Sequence, residues 1–311
     1  MTNAKIAVIS GGNSPEASVS RSSAEGVIEA LRKNYTSVIS IELDNGIATA
    51  LADFDPDVVF PILHGPPGED GTLQGFLEIL EYNYVGSTVH SSAFAMDKIV
   101  AKEFFKRDGL PIASQCVVSK SENIAAAVDR ITRELGKSVV VKPACQGSSI
   151  GVSPVNTSDQ LYKGLVSAFE FDSRILIEER IEGKEVTVGV LDTKFGTEAF
   201  PVIEVRTPEN SWYDFDHRYT PGLSEHIMPA ELSRKQSDTL QGIAISAHRT
   251  LGCRDLSRAD FIVNESGVYL LEVNTLPGMT PTSLYPDGAK GYGLDFPKLV
   301  QHLVERALSR A

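Results

Sequence analysis

The chain has 311 residues, 42% of them hydrophobic, and a net charge of −12. That length suits roughly two or three packed lobes, and the apolar share argues against disorder. The acidic balance argues against broad binding to nucleic acid or an anionic membrane, leaving room for a local basic pocket. Cys116, Cys145 and Cys253 are few and widely spaced, which suggests neither a disulfide framework nor a cysteine zinc site. The N-terminus MTNAKIAVISGG lacks a basic region followed by a long apolar stretch, and no run reaches membrane-spanning length. A cytoplasmic protein of enzyme size, with no membrane and no nucleic-acid partner, is expected.

Residues 4–10 read as a buried strand, because Ile6, Ala7, Val8 and Ile9 are continuous rather than alternating. Ser14-Pro15-Glu16 then suits a helix start, with a serine cap, a first-turn proline and an acid at the positive dipole end. Val27, Ile28 and Leu31 give that helix its apolar side. Strands at 37–43 and 58–62 follow, and this alternation implies a parallel sheet covered by helices. A second unit begins near Ser92, with a helix over 97–107 stopped by Gly109-Leu110-Pro111. Residues 138–142 read as a strand leading to Gly147-Ser148-Ser149-Ile150-Gly151, a loop that exposes backbone. Strands are expected at 174–178 and 185–191. A helix from Ser233 carries Leu240, Ile243, Ala244, Ala247 and Leu251 on one face, and residues 296–311 close the chain with another. The fold class expected is α/β with α+β lobes.

The run RADFIVNESGVYLLEVNTLPGMTP holds a hairpin. A three-residue loop Glu265-Ser266-Gly267 places Asn264 opposite Val268, Asp260 opposite Glu272 and Arg258 opposite Asn274. Arg258, Asp260, Glu272 and Asn274 then share one face, while Phe261, Val263, Leu271 and Val273 serve the core. Opposed carboxylates repel, and an oxygen-only ligand set suits magnesium with bound phosphates. A solvated face with one salt bridge explains the same pattern.

Eight segments in order decide between them: GGNSPEASVS, HGPPGEDGTLQG, SSAFAMDK, VVVKPACQGSSIGV, ILIEERIEGKEVTVGV, YDFDHRYTPG, SRADF and LLEVNTLPGMTPTSL. Together they resemble the D-alanine–D-alanine ligase family of ATP-grasp enzymes over essentially the whole chain. The resemblance implies a Rossmann-like substrate domain over 1–91, a central ATP-grasp lobe over 92–182 and a C-terminal lobe over 183–311. ATP would lie between the last two lobes. It also implies a homodimer, and ATP-driven joining of two D-alanines through an acyl phosphate for peptidoglycan synthesis.

Residue by residue, the resemblance assigns Lys98 and Lys142 to ATP phosphates, although either alone would pass for a surface lysine. Ser149 belongs to a loop closing over the triphosphate, where a simple turn is the plain alternative. Glu178, Glu179 and Ile181 would read adenine, and Glu185 the ribose, in what is otherwise a charged linker. Asp260, Glu272 and Asn274 would hold two magnesium ions, with manganese as an alternative. Glu16, otherwise a helix-dipole acid, would take the ammonium of the first D-alanine, and His64 its carboxylate. Ser148 and Tyr219 would complete a relay with Glu16. Ser283 and the Leu284 amide would hold the second carboxylate, and Arg258 with the Gly278 N–H an oxyanion. One departure stands out: Arg218 replaces the family's usual lysine, keeping the charge with a wider, stiffer fork on the γ-phosphate. The runner-up function is an ATP-grasp ligase of different amino-acid specificity, and a nucleotide-binding regulator is the non-enzymatic alternative.

Overall fold

The computed structural model describes residues 2–208, 217, 220, 222–280 and 283–310. Strands β1 (Thr2–Ser10), β2 (Tyr35–Glu42) and β3 (Val58–Pro61) form a parallel sheet in the order β2-β1-β3. Its two faces explain the unbroken apolar run in β1. Ile6 and Val8 enter one core with Val27 and Leu31 of α1 (Ala17–Leu31). Ala7 and Ile9 enter the other, with Leu51 of α2 (Ile47–Phe54) and Leu73 of α3 (Thr72–Ile79). The start of α1 departs from expectation. Among the described residues Ser14 Oγ has no hydrogen-bond partner, and Glu16 occupies the cap position without a side-chain cap bond. The Glu16 carboxylate is turned instead toward Ser148, so a local capping preference yields to a tertiary contact.

The central lobe is an antiparallel sheet in the order β4-β7-β5-β6, made of β4 (Gln115–Ser119), β5 (Val139–Pro143), β6 (Ser153–Val155) and β7 (Arg174–Glu179). Helices α6 (Ile124–Glu134) and α7 (Ser158–Ala168) pack on it through Val128, Ile131, Leu161 and Leu165. β4 and β6 are short and partly exposed, so neither stood out as a period-2 run.

The third sheet runs β11-β10-β8-β12-β13, with β9 also on β8. Its strands are β8 (Lys184–Thr193), β9 (Gly196–Ala199), β10 (Ile203–Arg206), β11 (Glu225–Ile227), β12 (Leu256–Asn264) and β13 (Gly267–Asn274). Helix α8 (Arg234–Thr250) covers one face and starts with a reciprocal capping box between Ser233 and Gln236. Helices α4 (Val89–Met96) and α5 (Lys98–Arg107) share that core, through Ala95, Ala101 and Phe105 against Val186, Leu240 and Phe261. After α9 (Leu284–Gly291), α10 (Phe296–Leu308) returns to the first lobe and packs Leu299, Leu303 and Val304 beside Val27 and Leu31. Each such buried aliphatic side chain contributes about 1.5–3 kcal/mol. The end of the chain therefore holds its beginning in place against the third sheet. No helix among the described residues is long and apolar enough to cross a membrane.

The hairpin register differs from expectation near its turn. Asn264 pairs with Gly267, not Val268, so the turn is the two residues Glu265-Ser266. An irregularity between Asp260 and Phe261 then shifts the ladder by one, restoring Asp260 opposite Glu272 and Arg258 opposite Asn274. The extra residue is Leu271. As a result Leu270, not Leu271, enters the core, and Leu271 lines a cleft. A bulge re-aims the side chains beyond it, which here keeps both acids on one face.

Candidate active site

Two cavities meet between the lobes. The larger, about 620 Å³, lies between the two antiparallel sheets and reaches from Lys142 and Glu178 across residues 179–185 to Asp260 and Glu272. The smaller, about 70 Å³, lies beyond the strand ends of the first lobe, against Arg258, Asn274 and Gly278. Gly147, Ser148 and Glu272 line both. Each described residue singled out from the sequence lines one cavity or the other. Trp212, Arg218 and Tyr219 lie outside the described residues.

The hairpin acids are held by cationic and amide partners. Arg258 clamps Asp260 bidentately, Nε to Oδ1 and Nη2 to Oδ2, both 2.8 Å. Thr187 of β8 donates to Asp260 Oδ1 at 2.6 Å, and Asn274 Nδ2 to Oδ2 at 3.2 Å. Glu272 meets Lys98 Nζ at 3.1 Å. The solvated-face reading does not hold for Asp260, which is 6% exposed. Oxygen donors alone, already balanced here by an arginine and a lysine, fit a hard divalent cation with phosphate co-ligands. Asp260, Glu272 and Asn274 are the residues that could hold it.

Lys98 opens α5, capped by Asp97, and donates to Gln146 O at 2.7 Å, tying the helix to the glycine-serine loop. In that loop Ser148 and Ser149 take positive φ of 46° and 61°. Two successive non-glycine residues in the left-handed region are uncommon and store strain at a functional loop. Ser148 Oγ donates to Glu16 Oε1, closing the loop onto the first lobe. On the opposite wall Lys142 Nζ lies 2.5 Å from Glu178 Oε2. Burial would raise the Glu178 carboxyl, but the ammoniums of Lys102 and Lys142 outweigh it and hold the pKa at about 2. Burial likewise opposes the Lys142 charge, and Glu178 outweighs it, leaving Lys142 raised.

In the smaller cavity, burial lowers the His64 pKa, with Glu16 opposing and Arg258 reinforcing the shift, so the imidazole is neutral at physiological pH. Its Nε2 has no hydrogen-bond partner among the described residues. Ser283 precedes α9, and its hydroxyl turns back to the Thr280 N–H at 3.0 Å rather than capping the helix. The first-turn amides of α9, including that of Leu284, then form the kind of helix N-terminus that receives carboxylates. Gly278 packs closely here: a Cβ would meet Ser283 Oγ at 2.8 Å.

Sequence reasoning missed two residues. Glu69 lines the smaller cavity and accepts the Gly65 N–H at 2.5 Å. Burial and the nearby Glu16 carboxylate push its pKa up to about 8. It sits inside HGPPGEDGTLQG, where the pattern points to it, but nothing local foretells its facing Glu16. Lys102, one turn after Lys98, is 1% exposed and bonds Glu178 Oε1 at 2.5 Å. Its only sequence signal is the four-residue spacing from Lys98 on one helical face.

Comparison with known proteins agrees with this arrangement. The D-ala D-ala ligase C-terminus family matches residues 104–305, and the corresponding N-terminus family matches residues 46–87. A D-alanine--D-alanine ligase of Halalkalibacterium halodurans is 46% identical over 98% of this chain and 100% of its own. The solved D-alanine--D-alanine ligase of Bacillus anthracis superposes with a TM-score of 0.87 at 32% identity, covering 99% of this chain and 98% of that one. The same enzyme complexed with ATP superposes at 0.84 and 31% identity, over 99% and 98% of the two chains. With the acids, lysines and glycine-serine loop gathered around one cleft, and relatives matching end to end, the chain belongs to the D-alanine–D-alanine ligase family, an ATP-grasp enzyme.

Proposed function

We propose that the protein joins two D-alanines to D-alanyl-D-alanine, consuming ATP and forming ADP and phosphate, as a cytoplasmic homodimer supplying peptidoglycan precursors. One observation carries the reading: a nucleotide-sized cleft and a small chamber share the wall made by Gly147, Ser148 and Glu272. Phosphoryl transfer to a small carboxylate requires that donor and acceptor meet at one such wall.

In this reading the backbone of residues 179–181 faces adenine and Glu185 the ribose, while Glu178, engaged by two lysines, positions Lys142 rather than touching the base. Lys98, Lys142 and Arg218 meet the phosphates as fixed charges, and the amides around Ser149 cover them. Two magnesium ions held by Asp260, Glu272 and Asn274 would neutralise phosphate charge. Glu16 takes the ammonium of the first D-alanine and neutral His64 its carboxylate, whose oxygen attacks the γ-phosphorus as the bond to the β-phosphate oxygen breaks, giving the acyl phosphate and ADP. The second D-alanine, its carboxylate on Ser283 and the Leu284 N–H, attacks that carbonyl through a neutral amine. Ser148 and Tyr219, with Glu16, order this substrate. Arg258 and the Gly278 N–H meet the oxyanion of the tetrahedral adduct, which collapses to dipeptide and phosphate. The lobes fall near residues 1–91, 92–182 and 183–311.

Coupled ADP release across D- and L-amino acids and D-lactate tests this. Magnesium-dependent turnover with D-alanine and little with L-alanine or D-lactate is expected. Comparable turnover with L-alanine, or a larger D-amino acid as the preferred substrate, would shift the assignment to a ligase of different specificity.

A further inference from the structure

Lys102 has no part in the proposed chemistry, yet its ammonium is buried behind Glu178, which lines the nucleotide cleft. It touches two lobes at once. Its Nζ lies 2.5 Å from Glu178 Oε1 on β7 and donates to Leu270 O on β13 at 2.9 Å. We propose that Lys102 is a positioning residue for nucleotide binding: it is the counter-ion of Glu178 that leaves the Lys142 charge available to phosphate, and the tie that sets β13 against the central sheet. This rests on reading Lys142 as a phosphate ligand.

Three side chains set the charge at this wall. Glu178 is 2% exposed, and each of its oxygens serves one lysine. Glu178 with Lys142 alone would form a neutral buried pair, presenting little net charge to an incoming anion. With Lys102 added, the trio carries one net positive charge, and the lysine facing the cleft is Lys142. Lys102 itself does not line that cleft, so its effect on the nucleotide passes through Glu178.

The second contact explains why the tie is rigid. β13 is an edge strand, and at Leu270 its outer backbone is satisfied by the loop and helix beside it: Pro111 O takes the Leu270 N–H at 2.8 Å, and Lys102 donates to the Leu270 carbonyl. Leu271 and Glu272 follow directly, so the bulge that aims Glu272 starts from an anchored residue. Lys102 thereby relates the separation of Lys142 and Glu272, on opposite walls of the cleft, to one buried ammonium.

The test compares Lys102→Met, Lys142→Met and Lys102→Met/Glu178→Gln in the full chain, measuring the KM for ATP and for D-alanine separately. Binding of a non-hydrolysable ATP analogue is titrated alongside. Lys102→Met should raise the ATP KM and the analogue Kd roughly ten- to thirtyfold, the order expected for one unit charge about 8–12 Å from phosphate at an effective dielectric of about 20. The D-alanine KM should move by less than about twofold, because a zwitterion carries no net charge and the effects on its ammonium and carboxylate largely cancel. The double variant should recover most of the ATP loss, because glutamine no longer neutralises Lys142; a purely structural role for Lys102 predicts no recovery. Unchanged ATP affinity in Lys102→Met, while Lys142→Met weakens it, overturns the proposal and leaves the functional reading intact. Unchanged ATP affinity in Lys142→Met overturns both. If Lys102→Met does not fold, the double variant decides: ATP affinity near wild type supports the proposal, and a loss matching Lys142→Met refutes it.

Discussion

Gly278→Ala probes the smaller chamber with the least change in chemistry. Gly278 is not among the glycines with positive φ, so its backbone accepts alanine and the effect is one of space. The added Cβ falls 2.8 Å from Ser283 Oγ, whereas ordinary contacts begin near about 3.5 Å. About 0.7 Å of movement is needed. The hydroxyl cannot yield freely, since it is held by the Thr280 N–H at 3.0 Å and shares a hydrogen bond with the Thr280 hydroxyl at 2.8 Å. Overpacking of this kind costs about 1–2 kcal/mol of stability. A displacement of about 0.7 Å at a substrate contact should raise the D-alanine KM by roughly tenfold, with the ATP KM nearly unchanged. Steady-state kinetics with each substrate varied in turn measure both. In a Ser283→Ala background the clash partner is gone, so the added methyl should cost far less, with a coupling of at least about 1 kcal/mol across the double-mutant cycle. An equal penalty in both backgrounds, or a D-alanine KM unchanged in Gly278→Ala, would refute the argument.

Glu272→Gln keeps shape but removes one charge from the proposed metal pair, so ATP turnover at limiting magnesium should fall while melting stays normal; unchanged turnover returns the hairpin acids to a structural role. Glu69, with its pKa raised to about 8, binds a proton in the folded state that the unfolded chain has already released. Its contribution to stability is therefore present below the ordinary carboxylate range and is lost as pH rises toward 8. Glu69→Gln should flatten the decline of Tm between those limits, and an identical pH slope in wild type and variant would contradict this. Arg218→Met should impair ATP turnover by on the order of 10²–10³ with little change in the D-alanine KM, and Arg218→Lys should recover much of it. Near-normal ATP kinetics in Arg218→Met would remove it from the site.

What the amino-acid order determined alone were features set by neighbours in the chain. The unbroken Ile6 to Ile9 run implies a strand buried on both faces, Ser233 marks a helix start, and Asn264-Glu265-Ser266-Gly267 marks a tight turn between two strands. These follow from backbone periodicity and short-range hydrogen bonding, which a few residues suffice to specify. Tertiary structure decided the rest. Ser14-Pro15-Glu16 carries every local sign of a capped helix, yet Glu16 is drawn away by a serine 132 positions later. The bulge at Leu271 arises where β12 is also held by β8 on its other side, a constraint invisible within the hairpin. Lys102 reads as one more lysine on an ordinary helix. Its meaning comes from Glu178 and Leu270, separated from it by 76 and 168 positions, because a buried charge takes its role from the partners that offset its desolvation.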